Sequence, residues 1–550
     1  MSSDPLDDDI VVSEPRLTLS EPAFLDEPAL DPVERGLQRA IDAQDWARAV
    51  QIVGTHWSLL LDERRELLDR ALRVVPLAAF EGDARAAAVR DIRLHSSADA
   101  VERMLGAATL PDADDVSRLE SVARSDRALS LLSVASSRMI ALRLRGRMSR
   151  AISLALLIER FGRVAAVHQP DLVLDRLPAA FLQAGITRGL ADDLPGAVLT
   201  LQDAYERAHQ SRVGYIQQDA AGKSALFLAL EGDVDQARFW LARHDSAPRT
   251  DGWFGPRVAM TGDVARSLIA TESLQRLDAQ AAVRALEQPV NAEQGWGPTV
   301  SYARARYALA WGDRISALDG VRSDRRRYDE WLGEGATMRP LLAQAEIDLL
   351  LSLGQVRQAQ VVIDAQDDHP VGRLAKAQLA LVEGDFARAA RRAARALQEP
   401  QSVRSRVKAL ALHAVANDRR SVDAATADAA AADASADQQY SDLRAAIEER
   451  GLLFSALSVP DDLRVGIRAP IPDDHGARAP LPPPSERVRL TPQQMHVLQG
   501  FERGLNVRQI ADESHLSTNT VKSHARTLYK RLDVTTREGV LGRAYELGLL

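Results

Sequence analysis

A short pattern recurs along this chain and limits what it can become: a glycine or polar pair followed by an alanine five positions after its first member. Gly82-Asp83 precedes Ala87, Gly146-Arg147 precedes Ala151 and Gly232-Asp233 precedes Ala237. Gly312-Asp313 is followed by Ala317, Gly354-Gln355 by Ala359 and Gly384-Asp385 by Ala389, with looser copies beginning at Gln44, Asp192 and Leu277. The pattern suits a helical hairpin. Glycine ends the first helix with a positive φ, aspartate caps the next, and the small alanine lets the two helices approach closely. Several of the separations fall between 30 and 46 residues, the range of helix-pair solenoids.

The surrounding text agrees. From about residue 33 to 459 it is rich in Ala, Leu, Arg, Glu and Gln with apolar spacing near 3.6, and alternating β-branched runs are scarce, which predicts an all-α array. A chain of 550 residues exceeds one ordinary domain, and 46% hydrophobic with 27% charged residues leaves ample material for a core. Residues 421–436 are low in complexity and read equally as a surface helix or an insertion.

Charge is unevenly spread. The chain carries a net −8, yet residues 1–35 alone hold ten acids and two bases, whereas residues 485–550 hold ten bases and seven acids. Residues 1–32 therefore read as a disordered acidic arm, since so few apolar groups cannot offset the entropy of ordering. Seven prolines lie between Pro460 and Pro484, which predicts a semi-rigid extended linker over 460–486. A separate small domain then follows at 487–550. The absence of cysteine excludes disulfides, thiolate metal sites and cysteine catalysis, and fits a cytoplasmic protein. The N-terminus has neither the basic nor the apolar region of a signal peptide, and no run is apolar enough to span a bilayer, so no membrane partner is expected.

The last sixty residues are the most informative. Thr491-Pro492-Gln493-Gln494 combines a cap, a proline at the first helical position and a glutamine at the third, which opens a helix whose buried face is Met495, Val497, Leu498 and Phe501 and whose stop is Gly504. Asn506 with Gln509 repeats the cap chemistry for a short second helix through Ile510 and Ala511, ending near His515. Ser517 caps a third, in which Val521, Ala525, Leu528 and Leu532 form a core stripe while Lys522, Arg526 and Lys530 form a basic one beside it. A fourth helix, about 537–547, closes the unit through Val540, Leu541, Ala544 and Leu547. A helix-turn-helix with a basic third helix is built to read a major groove of double-stranded DNA.

Leu490-Thr491-Pro492, Gly504, Ile510-Ala511, Leu516-Ser517, Thr520 to His524, Leu528 to Leu532 and Arg537 together resemble the LuxR-type helix-turn-helix. That resemblance implies that Lys522, Ser523 and Arg526 reach bases, that Thr520, Tyr529 and Lys530 hold phosphates, and that a homodimer forms through the fourth helix on a two-fold related site. Gln494, His496, Val507, Gln509 and Gly539 depart from the usual family residues, and Gly539 weakens the helix expected to dimerise. Upstream, the array resembles the tetratricopeptide-like, helical-repeat half of large MalT-like regulators, with Ala445 to Leu453 similar to the end of such arrays. In that group an ATP-binding module normally precedes the repeats, and no counterpart is found here.

Other motifs carry plainer readings. Ala221-Gly222-Lys223-Ser224 is similar to the end of a phosphate loop, but position 217 is Gln217 rather than the leading glycine, and no buried strand precedes it, so no nucleotide cofactor is expected. His524 reads as a packed side chain sooner than a phosphate contact. Gly252-Trp253-Phe254-Gly255-Pro256 and Gly295-Trp296-Gly297-Pro298, with Trp240, Trp311 and Trp331 nearby, suit packing between repeats, with a ligand or partner groove as the alternative. The histidines are too widely spaced for a helical metal pair, and no motif supports catalysis. The chain thus reads as a DNA-binding transcription regulator whose array senses a ligand or docks a protein. The rival is a helical scaffold or co-regulator whose basic domain is non-productive.

Overall fold

The computed structural model describes residues 30–80, 86, 90, 114–125, 127–211, 213–250, 254–286, 295–366, 369–399, 402–423, 429–457, 459, 476–479, 490–514, 516–532, 534–546 and 549–550. Among them there is no strand, and the chain is an all-α solenoid followed by a small four-helix unit. The acidic segment 1–29, the hairpin turn expected at Gly82-Asp83 and most of 460–486 lie outside the described residues. A helix already runs from Leu30 to Asp42, so the last three residues of the expected arm are helical.

Among the described copies the recurring pair and alanine do what their chemistry requires except at Gly312-Asp313, where Gly312 is not left-handed and Ala317 is only half-buried. Gly146, Gly232, Gly354 and Gly384 all take a positive φ between consecutive helices. At the looser copies the same left-handed position is held by Gln44, Asp192 and Leu274, so the third copy begins at Leu274 rather than Leu277, with Ala279 as its alanine. Ala49, Ala151, Ala197, Ala237, Ala279, Ala359 and Ala389 are fully buried, which is where a larger side chain would push the paired helices apart. The side chains of Asp45, Asp193, Asp233 and Asp385 each accept the amide three residues on, capping the second helix of their hairpins.

Seven of these turns close with one further bond, from the amide after the left-handed residue to the carbonyl five residues back. Asp45 donates to Ala40, Arg147 to Leu142, Asp193 to Arg188, Asp233 to Leu228, Gln275 to Ala270, Gln355 to Leu350 and Asp385 to Ala380, at 2.8–3.1 Å. This satisfies carbonyls that a helix end leaves without partners.

The first helices of the hairpins, such as Leu177–Leu190, Ile216–Glu231 and Met338–Ser352, line the inside and are buried almost all round. One continuous core runs from Leu119 to Val459, while helices 30–74 pack around a second core of Leu37, Leu60, Leu68, Leu72 and Phe80. The solenoid also winds back on itself: Thr337 Oγ1 donates to the Gly189 carbonyl at 2.7 Å and accepts the Asp192 amide at 2.7 Å.

The end of the array folds into this interior. Glu272, almost wholly buried, is held by Arg306 and Arg404 and accepts from Ser455 Oγ at 3.2 Å, and Arg404 also donates to the Ala229 carbonyl at 2.5 Å. Asp348 accepts from Lys408 at 2.6 Å and from Gln378 at 2.9 Å. Burial pushes the Glu272 carboxyl up, but the two guanidiniums more than reverse it and hold it below the ordinary glutamate range.

Candidate nucleic-acid interface

The C-terminal unit is built by three caps in series. Thr491 accepts the Gln494 amide at 3.2 Å while Gln494 Oε1 accepts the Thr491 amide at 3.0 Å, which starts the first helix, Pro492–Glu502. Asn506 and Gln509 form the same reciprocal box at 3.0 and 2.8 Å for the second, Val507–Glu513, two residues shorter than its sequence suggests. Ser517 Oγ accepts the Thr520 amide at 3.1 Å and opens the third, Thr518–Arg531. Gly504, at φ +82°, makes the left-handed stop between the first two.

The fourth helix, Arg537–Glu546, forms despite Gly539, because that glycine lies in the first turn and its amide is taken by Thr536 Oγ1 at 3.0 Å. Glycine costs helix stability mainly in the interior of a helix.

The four helices meet on one core: Val497, Leu498 and Phe501 from the first, Ile510 and Ala511 from the second, Val521, Ala525, Leu528 and Leu532 from the third, and Val540 and Ala544 from the fourth. Met495 and Leu541 are half-buried at its edge, and Leu547 lies outside the described residues. Three stabilising features were not legible from spacing. Gly500 lets the first two helices touch, since a Cβ there would meet Ile510 Cδ1 and Cγ1 at 2.7 Å. Arg503 makes a bidentate pair with Glu513 at 2.7 and 2.8 Å. Tyr545 Oη donates to Glu502 Oε1 at 2.9 Å.

With the core stripe fixed, the outward face of the third helix follows from its pitch. Taking Lys522 as origin, Arg526 lies about 40°, Lys530 about 80° and Ser523 about 100° round the axis, so all four share one sector of about 100°. All four are exposed. Thr520 is half-buried with its Oγ1 2.8 Å from Ser517 Oγ, and Tyr529 is half-buried with its ring stacked on Phe501 at 6.3 Å, on the border between the core and the basic face. His524 is half-buried, and Arg508 and Asn519, which no spacing singled out, are exposed beside the starts of the second and third helices.

The phosphate-loop-like segment and two of the tryptophans are packed, Trp311 and Trp331 are half-buried, and Gly252 and Trp253 lie outside the described residues. Gly222, Lys223 and Ser224 sit in the middle of the buried helix Ile216–Glu231, with Lys223 paired to Asp219 and 5.3 Å from the Trp296 ring, and no loop is present there to hold a phosphate. Gly255 and Gly297 begin the helices Gly255–Glu272 and Gly297–Ala310, and Trp240 and Trp296 are buried, the latter stacked with Phe227 at 6.3 Å. Among the described residues no cluster of metal-ligating side chains occurs, and no helix is long and apolar enough to cross a membrane.

Residues 488–541 match the GerE family, described as bacterial regulatory proteins, luxR family. No curated protein matches the chain. The C-terminal unit is therefore a LuxR-family helix-turn-helix domain, of the kind carried by DNA-binding transcription regulators.

Proposed function

We propose that this chain regulates transcription by placing the helix Thr518–Arg531 in the major groove, where Lys522, Ser523 and Arg526 meet base edges and Thr520, Tyr529 and Lys530 hold phosphates. The observation that carries this reading is the exposed sector shared by Lys522, Ser523, Arg526 and Lys530, turned away from a stripe locked into the core. Long cationic side chains on a rigid helix suit both tasks: bidentate donation to guanine O6 and N7, and neutralisation of phosphate. Thr520, near the start of the helix, and Tyr529, near its end, are half-buried and flank the exposed sector on either side, a position suited to the flanking backbone.

In the same reading two copies bind a two-fold related site through the fourth helix, and the array biases DNA binding in response to a ligand or a docked protein. The protein acts in the cytoplasm, without a catalytic role. The array's organisation favours a MalT-like regulator with tetratricopeptide-like repeats, because left-handed turns and buried alanines recur at hairpin spacing throughout it.

Crosslinking the full chain to genomic DNA, followed by titration of recovered and scrambled duplexes across salt, tests the reading. Affinity should fall linearly with salt on logarithmic axes, because binding releases condensed counterions. A chain that binds neither duplex at low salt would be the scaffold instead.

A further inference from the structure

Arg243 is a half-buried cation that meets no carboxylate among the described residues. Other arginines on the same and neighbouring helices do: Arg163 pairs with Asp203 at 2.6 Å, Arg238 with Asp235 at 3.0 Å and Arg266 with Asp245 at 2.6 Å, so the acid two residues beyond Arg243 is already taken. The Arg243 guanidinium instead lies 3.5 Å from the centre of the Phe239 ring, one helical turn back, and 5.5 Å from that of Trp240. Trp240 is itself fixed, being buried with the Tyr205 ring edge-on to it at 5.2 Å. A stack of this kind holds the planar fork of donors in place and leaves its edge open to an acceptor.

Arg243 lines a cavity of about 280 Å³ between the ends of the helices Leu194–Glu206 and Val234–Ser246 and the first turn of Ile216–Glu231. The Tyr205 hydroxyl and the Gln217 amide line it too, and neither makes a hydrogen bond with a described residue. Ser246 Oγ donates to the Ala242 carbonyl at 2.8 Å, which leaves its oxygen able to accept. Ala247 and Pro248 complete the lining with an apolar wall.

One rigid cation, three uncommitted polar groups and an apolar wall in a small cavity define a ligand class. Ligand pockets usually span about 300–1,000 Å³, so this one takes a small molecule rather than a length of peptide. A guanidinium matches a carboxylate in both charge and bidentate geometry, whereas a phosphate monoester brings nearly two charges to a single cation. We propose that this cavity is the ligand site of the array and takes a small organic acid, its carboxylate on Arg243 and its apolar body against Ala247 and Pro248. The proposal deepens the reading in which the array responds to a ligand, and rests on that reading for any effect on DNA.

The test uses the full chain with benzoate as probe, benzamide as its uncharged counterpart and inorganic phosphate as an anion without an apolar body. Calorimetric titration should show benzoate bound at least about tenfold more tightly than either of the others. Arg243→Ala should weaken benzoate by at least about tenfold, and Arg243→Lys should recover only part of the loss, because an ammonium cannot pair bidentately. Tyr205→Phe, which keeps the stack on Trp240, should weaken it by about threefold to tenfold, the effect of one neutral hydrogen bond. Amide exchange in a peptide covering 239–248 should slow with benzoate and, without it, should match between the unaltered chain and Tyr205→Phe. Benzoate bound no better than benzamide or phosphate, or bound equally by the unaltered chain and Arg243→Ala, would overturn the site. Duplex titration with and without benzoate keeps the two readings apart. Salt-dependent duplex binding by a chain that binds no probe would overturn the site and leave the DNA reading standing. Benzoate held by Arg243 with duplex affinity unchanged would support the site and count against an array that biases DNA binding.

Discussion

The guanidinium of Arg537 lies 5.0 Å from the centre of the Phe501 ring and donates to the Phe501 carbonyl at 2.8 Å. One side chain from the fourth helix therefore both packs on the end of the first and adds a side-chain donor to a carbonyl that also accepts the Gly504 amide at 3.1 Å. Because Phe501 also stacks on Tyr529, the contact reaches the border of the basic face.

Arg537→Ala should cost the C-terminal domain about 1.5–3 kcal/mol, the range for a hydrogen bond to a charged group. Arg537→Lys should recover only part of it, since an ammonium keeps the charge but not the planar stacking. Faster amide exchange across residues 492–502, with the array unchanged, is the expected reading. Unaltered exchange in Arg537→Ala would show that the contact holds nothing.

Gly500→Ala should be destabilising although alanine is the better helix former. The added Cβ would sit 2.7 Å from Ile510 Cδ1 and Cγ1, and forced overpacking of a core costs about 1–3 kcal/mol against a propensity gain of about 1. Urea unfolding followed by a probe in the C-terminal domain measures the balance. A midpoint shifted upward would mean that the second helix moves away without penalty.

Local chemistry explains why so much of this domain was legible. Thr491, Asn506 and Ser517 act on amides within three residues of themselves, so short spacing suffices to find them. The hairpin turns were readable for the same reason, and the one misplaced copy, Leu277 for Leu274, arose because a leucine at positive φ has no side-chain signature. The contacts of Arg537, Arg503 and Tyr545 join residues 10 to 43 positions apart, and a sequence does not display which distant carbonyl an arginine will meet. Likewise, composition cannot show that Arg478 donates to carbonyls 166 to 170 residues upstream.

The buried charges of the array should make its stability sensitive to acid. Glu272 has a folded pKa below its unfolded one, so its contribution is fully present above the unfolded value of about 4.3 and is lost as pH falls through the folded value. Glu272→Ala should cost about 3–5 kcal/mol, because it leaves Arg306 and Arg404 buried without their shared carboxylate. Thermal unfolding from pH 7 down to 3 should show a steeper decline below about pH 4.3 in the unaltered chain than in the variant. Parallel declines would place the acid sensitivity elsewhere.

Readout and positioning on the third helix should separate by residue. Arg526 lies about 6 Å along the axis from Lys522 and Lys530 about 12 Å, so the first two can meet neighbouring base pairs while the third extends toward the flanking backbone. Lys522→Ala or Arg526→Ala should cost about 1–3 kcal/mol and relax preference at particular base pairs. Lys530→Ala should instead weaken recovered and scrambled duplexes alike and reduce the salt slope by about 1, the signature of one lost phosphate contact. Tyr529→Phe separates the hydroxyl from the ring: it keeps the stack on Phe501, so a loss of affinity without loss of stability would assign the hydroxyl to phosphate. Titrations of the full chain at several salt concentrations distinguish these outcomes. If all the substitutions leave affinity, selectivity and salt slope unchanged, the exposed sector of this helix is a solvated face and the scaffold reading replaces the regulator.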